Sequence, residues 1–169
     1  MLMPVLINLS FIFILFFFSV QIIYNDLRLR KIPNALLVFY GLAVLLHKLV
    51  VSLSYGLPFG WVASWGDSLI GFAAALIVFY PVWLLRLMGA ADVKLMAVLG
   101  LALGWKEAGM VVLFGTVLAG LHALVLVLIP SLERKYGFAF PGVRVKARSV
   151  PLGAWLCLAT MGWVWIHNQ

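Results

Sequence analysis

Cysteine, charge and acid are what this sequence has least of. Its 169 residues include a single cysteine, Cys157, in the last apolar run, which leaves no disulfide framework and no CxxC zinc ribbon. Charged residues make up 10%, against about 25% in a typical soluble domain, and only five residues are acidic. Apolar residues make up 66%, and the mean hydropathy is +1.16. A soluble globule of this size cannot hide that much apolar surface, so the solvent is largely lipid. A spanning helix takes roughly 20 apolar residues, and six would use about 120. The expected fold is therefore all-α and integral to the membrane: a polytopic bundle of about six transmembrane helices, with no room for a separate soluble domain. The net charge of +7 does not point to nucleic acid. The basic residues fall in short loops between apolar runs, where they set orientation against the membrane.

The apolar runs place the helices at about 3–24, 34–54, 66–87, 93–105, 108–130 and 150–166. The first run has no charged leading segment and no small-residue cleavage site before Asp26. It is also longer than a signal-peptide core, so it is expected to stay as a helix. Pro33 suits the first turn of the second helix, and Gly66-Asp67-Ser68 reads as the cap of the third. Gly89-Ala90-Ala91-Asp92 is a small-residue break before a fourth segment that is short for a full span. With the N-terminus outside and the helices alternating, Arg28, Arg30, Lys31, Arg86, Lys94, Arg134, Lys135, Arg144, Lys146 and Arg148 fall inside. Only Lys48 and Lys106 fall outside. Ten of the twelve basic residues then share one side, as the positive-inside rule expects of the cytoplasmic face. The same alternation brings Asp26 and Asp92 to the cytoplasmic membrane boundary.

Three of the five acids have structural readings: Asp67 as a helix cap, Glu107 in an outer turn, and Glu133 beside Arg134 and Lys135. Asp26 and Asp92, 66 positions apart, remain. An ionisable residue at membrane depth is costly and by default marks function. Two carboxyls brought together in a poorly hydrated site tend to share one proton. The ionised member can then take a proton from water while the protonated one donates to a carbonyl oxygen or a leaving amine. Gly89, Ala90 and Ala91 would let backbone approach a neighbouring helix or a substrate strand. The competing reading makes Asp92 a helix N-cap and Asp26 a solvated loop residue. A proton or cation relay in a non-enzymatic assembly or transport subunit is a further alternative. A metal site is a poor fit, because two carboxylates without a nearby inward histidine make a weak ligand set, and no cofactor is expected.

Two local patterns bear on this choice. Tyr24-Asn25-Asp26, followed by Arg30-Lys31-Ile32-Pro33-Asn34, resembles the first aspartate motif of prepilin peptidases. Gly89-Ala90-Ala91-Asp92-Val93-Lys94-Leu95 resembles the second, Gly-x-Gly-Asp with a Val-Lys-Leu-like continuation, with Ala91 at the position of the second glycine. Leu99-Gly100, Gly104-Trp105 and Arg148-Ser149-Val150-Pro151-Leu152-Gly153 are similar to later parts of the family pattern. The resemblance implies an intramembrane aspartyl peptidase of the Gly-x-Gly-Asp type with Asp26 and Asp92 as its catalytic pair. Gly89, Ala90, Ala91, Lys94, Pro33 and Asn34 would support the motifs. Larger relatives carry a cytoplasmic domain with CxxC zinc ligands between the first two helices and also N-methylate the new pilin terminus. Here that interval is about ten residues without cysteine, which implies a short, cleavage-only form similar to those serving Flp-type tight-adherence pili; the archaeal preflagellin peptidases are similar too. The partners so implied are prepilins and pseudopilins, cut at the inner membrane between a basic leader and an apolar helix.

The remaining polar residues have modest readings. Lys94 either tunes the pair or snorkels to the inner interface. His122, in mid-helix, is expected to hydrogen-bond another helix. His47, Lys48 and His167 are expected at the membrane edge. Trp61, Trp65, Trp105, Trp163 and Trp165 read as an interfacial belt. The loop from Arg134 to Arg148 is expected to meet anionic lipid.

Overall fold

The computed structural model describes residues 2–56, 58–59, 62–136 and 150–167. Its six helices are α1 (Leu2–Leu29), α2 (Asn34–Tyr55), α3 (Trp65–Leu84), α4 (Ala90–Leu103), α5 (Trp105–Tyr136) and α6 (Leu152–His167). Four stretches, Val5–Leu29, Asn34–Tyr55, Trp65–Leu84 and Trp105–Ile129, are long and apolar enough to cross a membrane. Their outer faces are apolar too, with Phe13, Val38, Leu53, Ile77 and Val127 exposed. This is a helical membrane protein with several crossings.

Six helices are present as expected, and four of them reach spanning length. α4 has 14 residues and α6 has 16. At 1.5 Å per residue they reach about 21 and 24 Å, short of a hydrocarbon core of about 30 Å. α4 is the central element. Every residue from Val93 to Leu103 except Lys94 is buried, as befits a helix that is apolar all round. It packs against α2, α3 and α5 and touches α6, while α1 packs on α2 and α6. Among the described residues, the backbones of α1 and α4 do not come close, and α2 and α3 meet only through side chains.

The tightest junction joins α3 to α4. A Cβ built on Gly71 would lie 2.5 Å from the Gly100 carbonyl oxygen, and one on Gly100 would lie 2.4 Å from that of Gly71. The two backbones meet there directly, which only glycine permits.

Several boundaries differ from the sequence expectation, each for a local reason. α1 does not stop at Tyr24 but continues to Leu29. Polarity alone does not end a helix: the Asn25 side chain donates to the Gln21 carbonyl at 2.8 Å, and Arg28 donates to the Tyr24 hydroxyl one turn back. The helix ends where Arg30 turns left-handed, at φ 54°. α3 ends at Leu84, three residues early, and Arg86 at φ 58° makes the corresponding turn. The cap of α3 is Ser64 and not Gly66-Asp67-Ser68. Its hydroxyl accepts from the Asp67 N–H at 3.0 Å and donates to Asp67 Oδ2 at 2.7 Å, a Ser-x-x-Asp form of the capping box. α5 starts at Trp105, directly after Gly104 at φ 84°, and runs past Pro130 to Tyr136.

Lys48 and His47 are both engaged by neighbouring helices, and Lys48 does not face outward. Lys48 is fully buried, its Nζ donating to the Ala63 carbonyl at 2.8 Å and to Ser68 Oγ. A carbonyl and a hydroxyl presented by the start of α3 satisfy an ammonium that lipid would reject. His47 Nε2 shares a hydrogen bond with Ser10 Oγ at 2.9 Å, joining α2 to α1. Two of the belt tryptophans are also tied inward: Trp65 Nε1 donates to Ser52 Oγ at 3.1 Å and Trp163 Nε1 to Glu107 Oε2 at 2.6 Å. Trp105 and Trp165 stand exposed. His122 meets its expectation, since its Nδ1 accepts from Trp155 Nε1 of α6 at 2.9 Å. Trp61, the basic residues Arg144, Lys146 and Arg148, and the side chains of Glu133, Arg134 and Lys135 lie outside the described residues.

Candidate active site

Asp26 occupies the last turn of α1 and is 8% exposed, so it is neither solvated nor in a loop. Its environment comes from the far end of the chain. The Ala154 N–H, in the first turn of α6, donates to Asp26 Oδ2 at 2.8 Å, and the Gly153 N–H hydrogen-bonds to the same carboxyl. Unpaired N–H groups at a helix start suit a carboxylate acceptor. Ile32, buried in the link between α1 and α2, packs over Gly153 beside the aspartate.

Asp92 stands in the first turn of α4. Gly89, and not Asp92, is the N-cap residue, with φ −71° and ψ 140°. The Gly89 N–H hydrogen-bonds back to the Asp92 carboxyl, the second half of a capping box. Burial, and secondarily the charge of Asp26, push the Asp92 carboxyl up to about 6. Asp26 and Asp92 are thus within electrostatic reach although the backbones of their helices do not come close.

The supporting residues separate into distinct roles. Lys94 Nζ donates to Asn34 Oδ1 at 3.0 Å, tying α4 to the first residue of α2 on an exposed face. Its ammonium is engaged by Asn34, and the neighbouring charge acting on Asp92 is that of Asp26. Pro33 is the N-cap residue of α2, one position before the helix proper, at φ −61°. Ala90 is exposed, while Ala91 packs against the core in regular helix. The backbone at Ala91 has no positive φ to demand glycine, and its methyl group is accommodated. Among the described residues, no three His, Cys, Asp or Glu side chains gather as a metal-ligand group.

The contribution of α6 was missing from the sequence reading. Gly153 stood there only as the end of a similar stretch, and nothing in its spacing pairs it with a residue 127 positions earlier. The legible signal was a Pro-x-Gly helix start, which is too common to decide anything.

The chain matches the type IV leader peptidase family over residues 11–124, a stretch that runs from α1 into α5 and holds both aspartates. Neither a curated protein nor a solved structure matches it. The family match spans more than half the chain and both of the motifs on which the resemblance rests. This protein belongs to the type IV leader peptidase family.

Proposed function

We propose that the protein is an aspartic endopeptidase that removes the basic leader from type IV prepilins and pseudopilins at the cytoplasmic membrane face, with Asp26 and Asp92 as its catalytic pair. The observation that carries the reading is that separate motifs seat a buried Asp26 and a half-buried Asp92 at helix ends. Asp26 Oδ2 accepts from the Ala154 N–H, and the charge of Asp26 is felt at Asp92. In the reaction, one carboxylate takes a proton from water as the water oxygen attacks the scissile carbonyl carbon. The other carboxyl gives its proton to the carbonyl oxygen. When the tetrahedral intermediate collapses, the C–N bond breaks and the leaving nitrogen takes up a proton from the pair. Asp26, with Oδ2 accepting from Ala154, suits the base, and Asp92, raised to about 6, suits the acid.

The substrate follows from the family and from what surrounds the pair. Only four residues, 30–33, join α1 to α2, so no zinc-binding domain stands between the first two helices. That supports a short form that cleaves without methylating, of the kind that serves Flp-type pili, in an inner membrane with both aspartates on the cytoplasmic side. Lateral entry of the pilin's apolar helix from the bilayer fits a site flanked by lipid-facing helices, and the basic loops suit contact with anionic lipid.

The test is cleavage of a Flp-type prepilin in vesicles, with the new N-terminus mapped and the rate followed against pH. The pair works with one proton shared. As pH rises through about 6, Asp92 loses that proton, two carboxylates remain and the acid is gone. The rate is therefore expected to fall about tenfold per pH unit on the alkaline side, with a limb belonging to the pair. A flat rate from pH 6 to 8 would reject Asp92 as the acid, and absence of any cut at the leader junction would reject the function.

A further inference from the structure

We propose that the opening turn of α6, Gly153–Ala154, is a positioning element for the catalytic Asp26, and that position 153 must be glycine for the carboxyl to reach its working place. The family match ends at residue 124 and assigns α6 nothing. For its effect on rate the inference rests on the peptidase reading above; for its geometry it does not.

Three observations meet at this turn. The Ala154 N–H holds Asp26 Oδ2 at 2.8 Å, which decides which carboxyl oxygen is engaged by backbone and which is left for chemistry. A Cβ on Gly153 would lie 3.1 Å from Asp26 Oδ2 and 2.6 Å from Ile32 Cδ1, so the carboxyl rests over a bare Cα. Asp26 is buried, so it has little room to swing aside.

Asp92 is seated in the same manner. A Cβ on Gly89 would lie 3.1 Å from Asp92 Oδ2, and the Gly89 N–H bonds to that carboxyl. Each aspartate therefore lies over a glycine at a helix start and takes an N–H from it. For Asp92 the glycine stands three residues away in the same turn. For Asp26 it comes from a different helix, so α6 must dock for the site to form. In this arrangement α6 completes the pair from outside both aspartate motifs. Gly153 and Ala154 are positioning residues, acting on the reaction through Asp26.

The test uses Gly153→Ala in an Ile32→Val background, where loss of Cδ1 removes the nearer clash and leaves Asp26 Oδ2 facing the new methyl group. Relative to Ile32→Val alone, kcat is expected to fall about tenfold or more, as a small displacement of a reacting group does, with KM within about twofold. Gly162→Ala is the control, on the same helix with nothing within 4 Å of its Cβ. The second readout needs no substrate. The chain has three aspartates, Asp26, Asp67 and Asp92, so ¹³C-aspartate labelling gives three carboxyl signals, assigned by Asp→Asn variants. The Asp26 signal and its titration midpoint are expected to move while those of Asp67 stay, which also shows that the fold persists. If Gly153→Ala does not fold, an α-hydroxy acid at position 154 replaces the donating N–H by an ester oxygen without added bulk, and the same shift is expected. An unmoved Asp26 signal with unchanged kcat overturns the inference and leaves the peptidase reading standing. A moved signal in a protein that cuts no prepilin supports the positioning and overturns the peptidase reading.

Discussion

Asparagine at position 26 or 92 is expected to lower prepilin cleavage by about 10³-fold or more, the scale on which a positioned acid or base acts, without unfolding the protein. Asparagine matches aspartate in shape but can neither hold nor release the shared proton. At position 26 its side-chain oxygen can still accept from the Ala154 N–H, so the docking of α6 survives. At position 92 the change removes a carboxyl that burial and the charge of Asp26 already disfavour as an anion. Neither replacement creates a cavity, and the melting temperature in detergent is expected to stay within a few degrees. Cleavage is to be compared at equal amounts of folded protein, with the product terminus mapped. Cutting that persists in both variants within tenfold of the parent would remove the aspartates from the chemistry and bring forward the relay, for which proton or cation flux would be the quantity lost.

The second large effect is structural. Alanine at Gly71 or Gly100 is expected to destabilise the protein by about 3 kcal/mol, at the upper end of the ordinary cost of overpacking, lowering the melting temperature by about 6–12 °C. The new Cβ would meet backbone on both sides: 2.5 Å from the Gly100 oxygen and 2.9 Å from the Trp105 nitrogen in one case, 2.4 Å from the Gly71 oxygen in the other. No rotamer relieves such a contact, so α3 and α4 must move apart along their whole junction. The two substitutions act on one contact and are expected not to add. Gly109→Ala and Gly120→Ala, with nothing within 4 Å of their Cβ positions, are expected to be neutral or slightly stabilising. Melting curves for the four variants decide the matter, and parent-like melting at Gly71 and Gly100 would mean that the helices do not touch there.

The helices were legible in the sequence because apolar runs and polar breaks are local properties. The limits of α1, α3 and α5 were not, since Asn25, Arg28 and the residues after Pro130 continue helices that a polarity scan ends, while the turn at Arg86 ends α3 inside an apolar run. The burial of Lys48 was not legible for a related reason: Ala63, just before α3, and Ser68, at its start, are brought to the cation only by the fold. The seat of Asp26 depends on a contact across 128 positions, which no spacing rule within one sequence reaches. The break before Asp92 was legible because Gly89 and Asp92 serve each other within one turn.

The two aspartates also ride on helices of different kinds. Asp26 is carried by α1, whose apolar stretch Val5–Leu29 is long enough to cross a bilayer, whereas Asp92 belongs to the short α4, which is buried at every position from Val93 to Leu103 except Lys94. A change in bilayer thickness acts on spanning helices through tilt and mismatch, but α4 is short and largely buried and offers little surface on which it could act. Acyl-chain length thus becomes a mechanical input to the spacing of the two carboxyls. Vesicles of graded thickness would register it as a change in turnover, with the composition of the surrounding lipid setting how well one carboxyl faces the other.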